Sequence, residues 1–393
     1  MNDALRVGVI GAGWMGHVHA RAYQRVAHHY PDLARRPILT AVADSVTSAA
    51  EALTRAFAAT HGELTAYADW RELLADPSIE AVSVTAPNFL HREIGVAVAE
   101  AGKHLWIEKP VGLAREDAVA VRDAVAANGV VGIVGFNYRN VPAVARARRL
   151  ISSGAIGAPT HARVQLFTDY AAHPGSPLSW RFALDRGGHG VLGDLASHGV
   201  DLVRFVLGDI DALVAQTAVH IPQRPIASAQ GHYSVIDPST PGLEFGTVEN
   251  EDYVVALLRM RSGVLAVCEA NRAAVGDQNN YALEVHGTQG LIRWDFRRPG
   301  ELSVCSTNTY AGAPTATVFS EPGDGEYAAF QPGAGIAMGY DDTKVVEAMQ
   351  FVRAISGEQV SPAPASLDDA VASATALDAI VTSHTEGKWV SLS

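Results

Sequence analysis

Cysteine is nearly missing from this chain of 393 residues: it has only Cys268 and Cys305. Two thiols give no disulfide framework and no Cys-x-x-Cys pair, which argues against a structural zinc site. Basic residues are also scarce, 30 Lys and Arg against 42 Asp and Glu, for a formal net charge of −12. A nucleic-acid binder would want the opposite balance. Long hydrophobic runs are absent too. Nothing approaches the ~18 apolar residues of a membrane span, and the run 129–136 has strand length. Charged residues make up only 18% against 48% apolar, the reverse of a disordered chain. Because Leu5–Ile10 already reads as a strand, no signal peptide is expected ahead of it. These absences leave a globular, cytoplasmic enzyme as the expectation, with two or three domains at roughly 150 residues each.

Through residue 136, short apolar runs alternate with Ala- and Leu-rich stretches. Leu5–Ile10, Ile38–Ala43, Ala81–Thr85, His104–Ile107 and Val130–Gly135 read as strands. Ser48–Thr60 and Arg92–Ala101 are long enough for helices. Such alternation predicts a parallel, doubly wound α/β sheet, a Rossmann-type domain over 1–137. From 138 to 393 the pattern predicts an α+β domain built on a large, open, mainly antiparallel sheet. There Asp252–Met260 alternates, with Val254, Ala256, Leu258 and Met260 on one face, and Val264–Asn271 returns after Ser262-Gly263. Tyr281–His286 and Gly290–Phe296 form another hairpin, and Asp194–Leu207 reads as a helix. The other face of the sheet is apolar enough to pack on a second subunit. Pro222–Glu251 and Asn308–Asp341 fit neither pattern and are long for loops without structure.

Gly11-Ala12-Gly13-Trp14-Met15-Gly16 follows the first strand and opens a helix. In that context a GxGxxG sequence is a dinucleotide cradle. Gly11 permits the turn, Gly13 admits the pyrophosphate, and Gly16 lets the helix pack on the sheet. The second strand ends at Asp44, placed to bind the adenosine ribose and to repel a 2′-phosphate, so NAD is expected over NADP. Asp44 could also be a turn or cap residue. Arg35 and Arg36 precede the strand and lie at the wrong end for a 2′-phosphate. His17 and His19 either border the cofactor or sit on a helix surface.

Thr85-Ala86-Pro87-Asn88 with His91, Glu108-Lys109-Pro110, and Gly193-Asp194-Leu195-Ala196-Ser197-His198 complete an ordered set. Together with the glycine loop, this set resembles the glucose–fructose oxidoreductase/inositol dehydrogenase (Gfo/Idh/MocA) family, over essentially the whole chain. The resemblance implies that Asn88 and Glu108 line the nicotinamide ribose, that Pro87 shapes the loop beside it, and that His91, with Trp14 and Met15 of the phosphate loop, also belongs to the cofactor site. It implies that Lys109, Asp194 and His198 are catalytic. It also implies a homodimer or homotetramer assembled through the C-terminal sheet. The family pattern has glycine where Ala196 stands, a small-for-small departure.

The residues themselves suit that chemistry. Oxidation of an alcohol needs a base for the hydroxyl proton, and histidine titrates in the useful range. Asp194, His198 and Asp201 are spaced i, i+4 and i+7, on one face of a regular helix. Lys109 can stabilise a developing alkoxide, and Pro110 biases it towards an extended conformation. The expected substrate is a cyclic sugar, anhydrosugar or polyol oxidised at a secondary hydroxyl, with Tyr138, Trp180 and Arg181 as pocket residues. Tyr340, Asn271 and Arg272 are further candidates. Plainer uses exist for each: a solvated Lys109, an N-capping Asp194, a packed His198, a core Trp180, a surface Asp201. A metal on Asp194, His198 and Asp201 is disfavoured, since nicotinamide and Lys109 make it unnecessary. Other readings are inositol oxidation, a nucleotide-sensing regulator on the same fold, and an enzyme that recycles bound NAD.

Overall fold

The computed structural model describes residues 3–226, 234–237 and 239–392. The chain divides into two compact units, Met1–Asn140 with Gly325–Pro332 and Met338–Ala372, and Val141–Asp324 with Gly333–Ala337 and Ser373–Ser393. The first therefore takes in C-terminal segments that a cut after residue 137 leaves elsewhere.

In the first unit the strands are β1 (Asp3–Ile10), β2 (Arg35–Ala43), β3 (Thr65–Tyr67), β4 (Ala81–Val84), β5 (His104–Ile107) and β6 (Gly132–Val134). They form one parallel sheet in the order β3-β2-β1-β4-β5-β6. The helices are α1 (Trp14–His29), α2 (Thr47–His61), α3 (Trp70–Ala75), α4 (His91–Glu100) and α5 (Arg115–Asn128). Covered on both faces, the central strands are largely apolar, and every residue of β4, Ser83 included, is buried. β3 and α3 have no counterpart in the apolar pattern, because β3 is a short strand with little burial. The strand order reverses between β1 and β4, and at such a switch point the strand ends leave room for a ligand.

The second unit begins with α6 (Pro142–Ser152), β7 (Pro159–Phe167), α7 (Leu184–Gly187) and α8 (Ser197–Leu207). Strands β8 (Ile210–Ala218), β9 (Gln223–Pro225), β10 (Phe245–Thr247), β11 (Tyr253–Met260), β12 (Leu265–Asn271), β13 (Asn280–Gly287), β14 (Gly290–Asp295), β15 (Glu301–Ser306) and β16 (Ala316–Phe319) follow. Next, α9 (Tyr340–Ile355) lies in the first unit, α10 (Leu367–Glu386) runs from it into the second, and β17 (Val390–Ser391) ends the fold. The large sheet has nine strands, β16-β15-β14-β13-β7-β12-β11-β8-β17, antiparallel except for β7 beside β12. Val254, Ala256, Leu258 and Met260 all point into the core, and α6 and α8 cover that face. Each fully buried Val, Leu or Met side chain among them contributes about 1.5–3 kcal/mol. Gly199 brings α8 close: a Cβ there would lie 2.6 Å from Leu166 Cδ1 and 3.1 Å from Cys268 Sγ.

Two sequence expectations need correction. The helix expected at Asp194–Leu207 starts earlier, as a single π-helical turn at Leu192–Ala196 that feeds α8. Asp194 therefore does not cap the helix, and the regular spacing to His198 is broken by the wider turn. The two long loops also carry strand: β9 pairs with β10 inside 222–251, and β16 edges the sheet from within 308–341. Residues 227–233 and 238 of the first of these stretches lie outside the described residues.

Candidate active site

The loop Gly11–Gly16 joins β1 to α1. Gly11 has φ +101°, and a Cβ on it would lie 2.7 Å from the Thr85 carbonyl. Gly16 is equally constrained, since a Cβ would come 2.1 Å from Gly11 O. Gly13 differs. A side chain there would meet no protein atom within 4 Å, so the protein's own packing does not require glycine. Its bare backbone opens a space directly before α1, whose N-terminus carries no side-chain cap. An anion cradled by free helix N–H groups is what this vacancy in the sequence suits, and a dinucleotide pyrophosphate fits it. Trp14 is 65% exposed, its ring 5.4 Å from that of Tyr340, and Met15 Sδ accepts from the Tyr340 hydroxyl at 3.8 Å.

Asp44 follows β2. Its Oδ2 accepts from Ala12 N–H at 2.8 Å and its Oδ1 from Val46 N–H at 2.8 Å. The carboxylate thus braces the glycine loop. Arg35 and Arg36 begin β2, at the opposite end of the strand, and Arg35 pairs with Glu80 at 2.7 Å.

Beyond β4, Pro87 and Asn88 lead through a short turn into α4. His91 is buried at its start, with Nε2 2.7 Å from Ala86 O and Nδ1 2.7 Å from Pro110 O. Its ring nitrogens are thus occupied by the two loops it ties together. Burial pushes its pKa down, while the two carbonyl contacts pull the other way. Lys109 is partly exposed after β5, and Glu108 before it turns into the interior.

Glu108 Oε1 accepts from His19 Nε2 at 3.0 Å and from Lys344 Nζ at 2.5 Å. His19 is fully buried, which removes the helix-surface alternative. Burial lowers its pKa to about 4, so the ring is neutral. One proton arrangement then satisfies the chain: Tyr23 donates to Ser83, Ser83 to His19 Nδ1, and His19 Nε2–H to Glu108. His17 is partly exposed. Tyr138 is buried, its ring 6.4 Å from that of Tyr340.

In the second unit, Asp194 lies in the π-helical turn and accepts a hydrogen bond from the Tyr170 hydroxyl. Burial and the Asp194 charge push the Tyr170 pKa well up, so it stays protonated as a donor. His198 is 7% exposed in the first turn of α8. Asp201 is buried, which removes the surface-charge alternative. The segment before Asp194 is clamped: Val191 N–H donates to Glu251 O at 2.9 Å and Leu192 N–H to Glu251 Oε1 at 3.0 Å. Arg272 is buried and pairs with Asp252 at 2.8 Å, donating also to Asn250 Oδ1 at 2.9 Å. Its contacts to Asn250 and Asp252 flank Glu251, whereas Asn271 Oδ1 accepts from Ala273 N–H at 2.8 Å. The Arg181 guanidinium lies 4.4 Å over the Trp180 ring, and both are partly exposed. Among the described residues, no group of three His, Cys, Asp or Glu side chains could hold a metal ion. No helix among them is long and apolar enough to cross a membrane.

Residues 5–136 match the model of an oxidoreductase family with an NAD-binding Rossmann fold, and 144–293 match the GFO/IDH/MocA C-terminal domain. Levoglucosan dehydrogenase of Pseudarthrobacter phenanthrenivorans is 36% identical over 388 residues, 98% of this chain and 97% of that one. The chain belongs to the Gfo/Idh/MocA family. It is an oxidoreductase, and its cofactor is NAD. Inositol 2-dehydrogenase of Rhizobium meliloti is 28% identical, with 99% of each chain covered. A solved levoglucosan dehydrogenase in complex with NADH and levoglucosan superposes with a TM-score of 0.90 at 35% identity, covering 99% of this chain and 100% of that one.

Sequence reasoning missed Tyr170, Lys344 and the Asn250 and Asp252 partners of Arg272. No spacing rule links Tyr170 to Asp194 or Lys344 to Glu108; only the folded chain pairs them.

Proposed function

We propose that this family member oxidises a secondary hydroxyl of a cyclic sugar, anhydrosugar or polyol to a ketone, with levoglucosan as the first substrate to try. What carries the reading is that Asp194 and His198 share one helical segment, in a chain alike over its full length to a levoglucosan dehydrogenase. The bound dinucleotide supplies the hydride acceptor. Gly11–Gly16 and the α1 N-terminus hold its pyrophosphate, Asp44 its adenosine ribose, and Pro87 and Asn88 border the other half. His198 takes the hydroxyl proton, and Asp194, held by Tyr170, steadies the resulting imidazolium. Lys109 donates to the substrate oxygen as alkoxide character develops. Trp180 and Tyr138 offer ring faces to the sugar, and Arg181 offers donors to its hydroxyls. The enzyme works as a homo-oligomer in the cytoplasm.

Inositol oxidation is a second reading, favoured by the inositol 2-dehydrogenase that matches along the whole chain. The deciding experiment follows NADH formation at ~340 nm with levoglucosan, myo-inositol, scyllo-inositol, glucose and glucosides, with NAD and with NADP. Lys109→Ala and His198→Ala are each expected to lower kcat by about 10²–10⁴-fold while NADH still binds. Turnover retained in both would sink the mechanism.

A further inference from the structure

We propose that Lys344 is a positioning residue of the reaction: from α9 it grips the Glu108 carboxylate and so fixes the strand end from which Lys109 projects. The inference rests on the reading of Lys109 as the group that meets the substrate oxygen.

The geometry is specific. Lys344 is fully buried, its Nζ 2.5 Å from Glu108 Oε1 and 2.8 Å from Glu347 Oε2. It also lies 5.8 Å from the centre of the Trp106 ring, on whose face His19 stacks at 3.7 Å. The neighbouring strand end gives way to the carboxylate: a Cβ on Gly135 would stand 2.3 Å from Glu108 Oε1. Glu108 N–H donates to Val84 O at 2.9 Å, so both backbone and side chain are fixed immediately before Lys109.

Stability alone does not explain such a cluster. Replacing a buried ion pair by apolar side chains of similar volume is often neutral or stabilising. The pair stands at the carboxyl end of β5, where this type of sheet carries its chemistry. A second buried lysine provides the contrast. Lys103, just before β5 at its other end, donates to two backbone carbonyls, Asp76 O at 2.8 Å and Ile79 O at 2.7 Å.

The groups facing Glu108 are His19 from α1, His91 from α4, Lys344, Glu347 and Tyr340 from α9, and Lys109 beside it. Burial pushes the Glu108 pKa up, but Lys344 and then His19 outweigh it and hold the carboxyl well below its usual range. Without Lys344, burial prevails, and Glu108 takes up a proton at a pH where the native enzyme keeps it ionised.

The test uses the full-length protein, each variant assayed well below its own melting temperature. Lys344→Met is expected to lower kcat about 30-fold with sugar KM within about threefold, while Lys103→Met keeps kcat within about twofold despite a lower Tm. In Lys344→Met, both kcat and NADH affinity, the latter from fluorescence titration, should acquire a new fall towards acid that the native protein lacks. Native kcat and a native pH profile in folded Lys344→Met would overturn the proposal. If that variant does not fold, Glu108→Gln and Lys344→Met/Glu108→Gln decide, since neither buries an uncompensated carboxylate at 108. Glu108→Gln should be slow and the double variant no more than about threefold slower, because Lys344 acts through Glu108. A fast Glu108→Gln, or losses that multiply, would refute it. Failure of the underlying reading looks different: Lys109→Ala would turn over normally, however Lys344 behaves.

Discussion

Asp44 offers the sharpest quantitative test of how this chain holds its cofactor. The carboxylate is expected to do two things at once. It accepts the buried Ala12 N–H and the Val46 N–H, each at 2.8 Å. It also meets the ribose hydroxyls of NAD. Asp44→Ala removes both. Leaving the Ala12 N–H without a partner costs about 1–3 kcal/mol of stability. Losing hydrogen bonds from the ribose to a charged acceptor costs about 1.5–3 kcal/mol of binding, or roughly 10- to 150-fold in Kd. Affinity for NADP should hold or improve, because the charge that repels a 2′-phosphate is gone. Asp44→Asn separates the two effects, since one oxygen can still brace the loop while the repulsion is lost. The assay is fluorescence titration with NADH and with NADPH, alongside thermal melts of the protein without cofactor. If Asp44→Ala keeps both its NADH Kd and its preference for NADH over NADPH, the carboxylate is only a loop brace. The assignment would then be wrong.

Other outcomes follow from the same geometry. Tyr170→Phe deprives Asp194 of its donor and should lower kcat about tenfold with little change in NADH affinity; unchanged steady-state kinetics would show that Asp194 needs no such support. Gly16→Ala must push Gly11 aside and should cost about 1–3 kcal/mol of stability together with most NADH binding, as melts and titration would reveal. Asp252→Asn leaves the Arg272 guanidinium buried without its counter-charge and should destabilise the second unit by about 3–5 kcal/mol. A urea midpoint shift worth less than about 1 kcal/mol would mean that the pair is not what clamps the Asp194 turn.

Much of the fold was legible because it repeats. β5 spans His104–Ile107, the limits the sequence pattern suggests. The alternation in β11 names its buried face correctly, because a half-covered antiparallel strand must alternate. β3 was illegible for the complementary reason: three residues on the sheet edge bury too little to leave a pattern. The π-helical turn was invisible as well. The Val191 and Leu192 N–H groups just before Asp194 donate to Glu251, which is no neighbour in sequence.

The same division between local and distant causes runs through the site. The glycine loop is readable because a turn, a close approach and an anion cradle all act within six residues. Its three glycines nevertheless separate only in the folded chain. Gly11 and Gly16 are demanded by neighbouring backbone, whereas Gly13 is demanded by no protein atom. That contrast bears on the acidity of the chain. At a net charge of −12 the long-range field repels a dinucleotide, so attraction must come from dipoles at contact distance. An exposed backbone at Gly13, uncapped helix N–H groups and a carboxylate braced behind the loop supply such a short-range grip. The charges in the sheet interior follow another logic. Glu108, His19 and the Lys344–Glu347 pair come from distant stretches of sequence and are solvent-excluded in the fold, so composition counts their charges as surface charge when they are internal fixtures. Reading function from sequence therefore works best where one segment makes the whole site, and least well where a distant side chain holds a catalytic one in place.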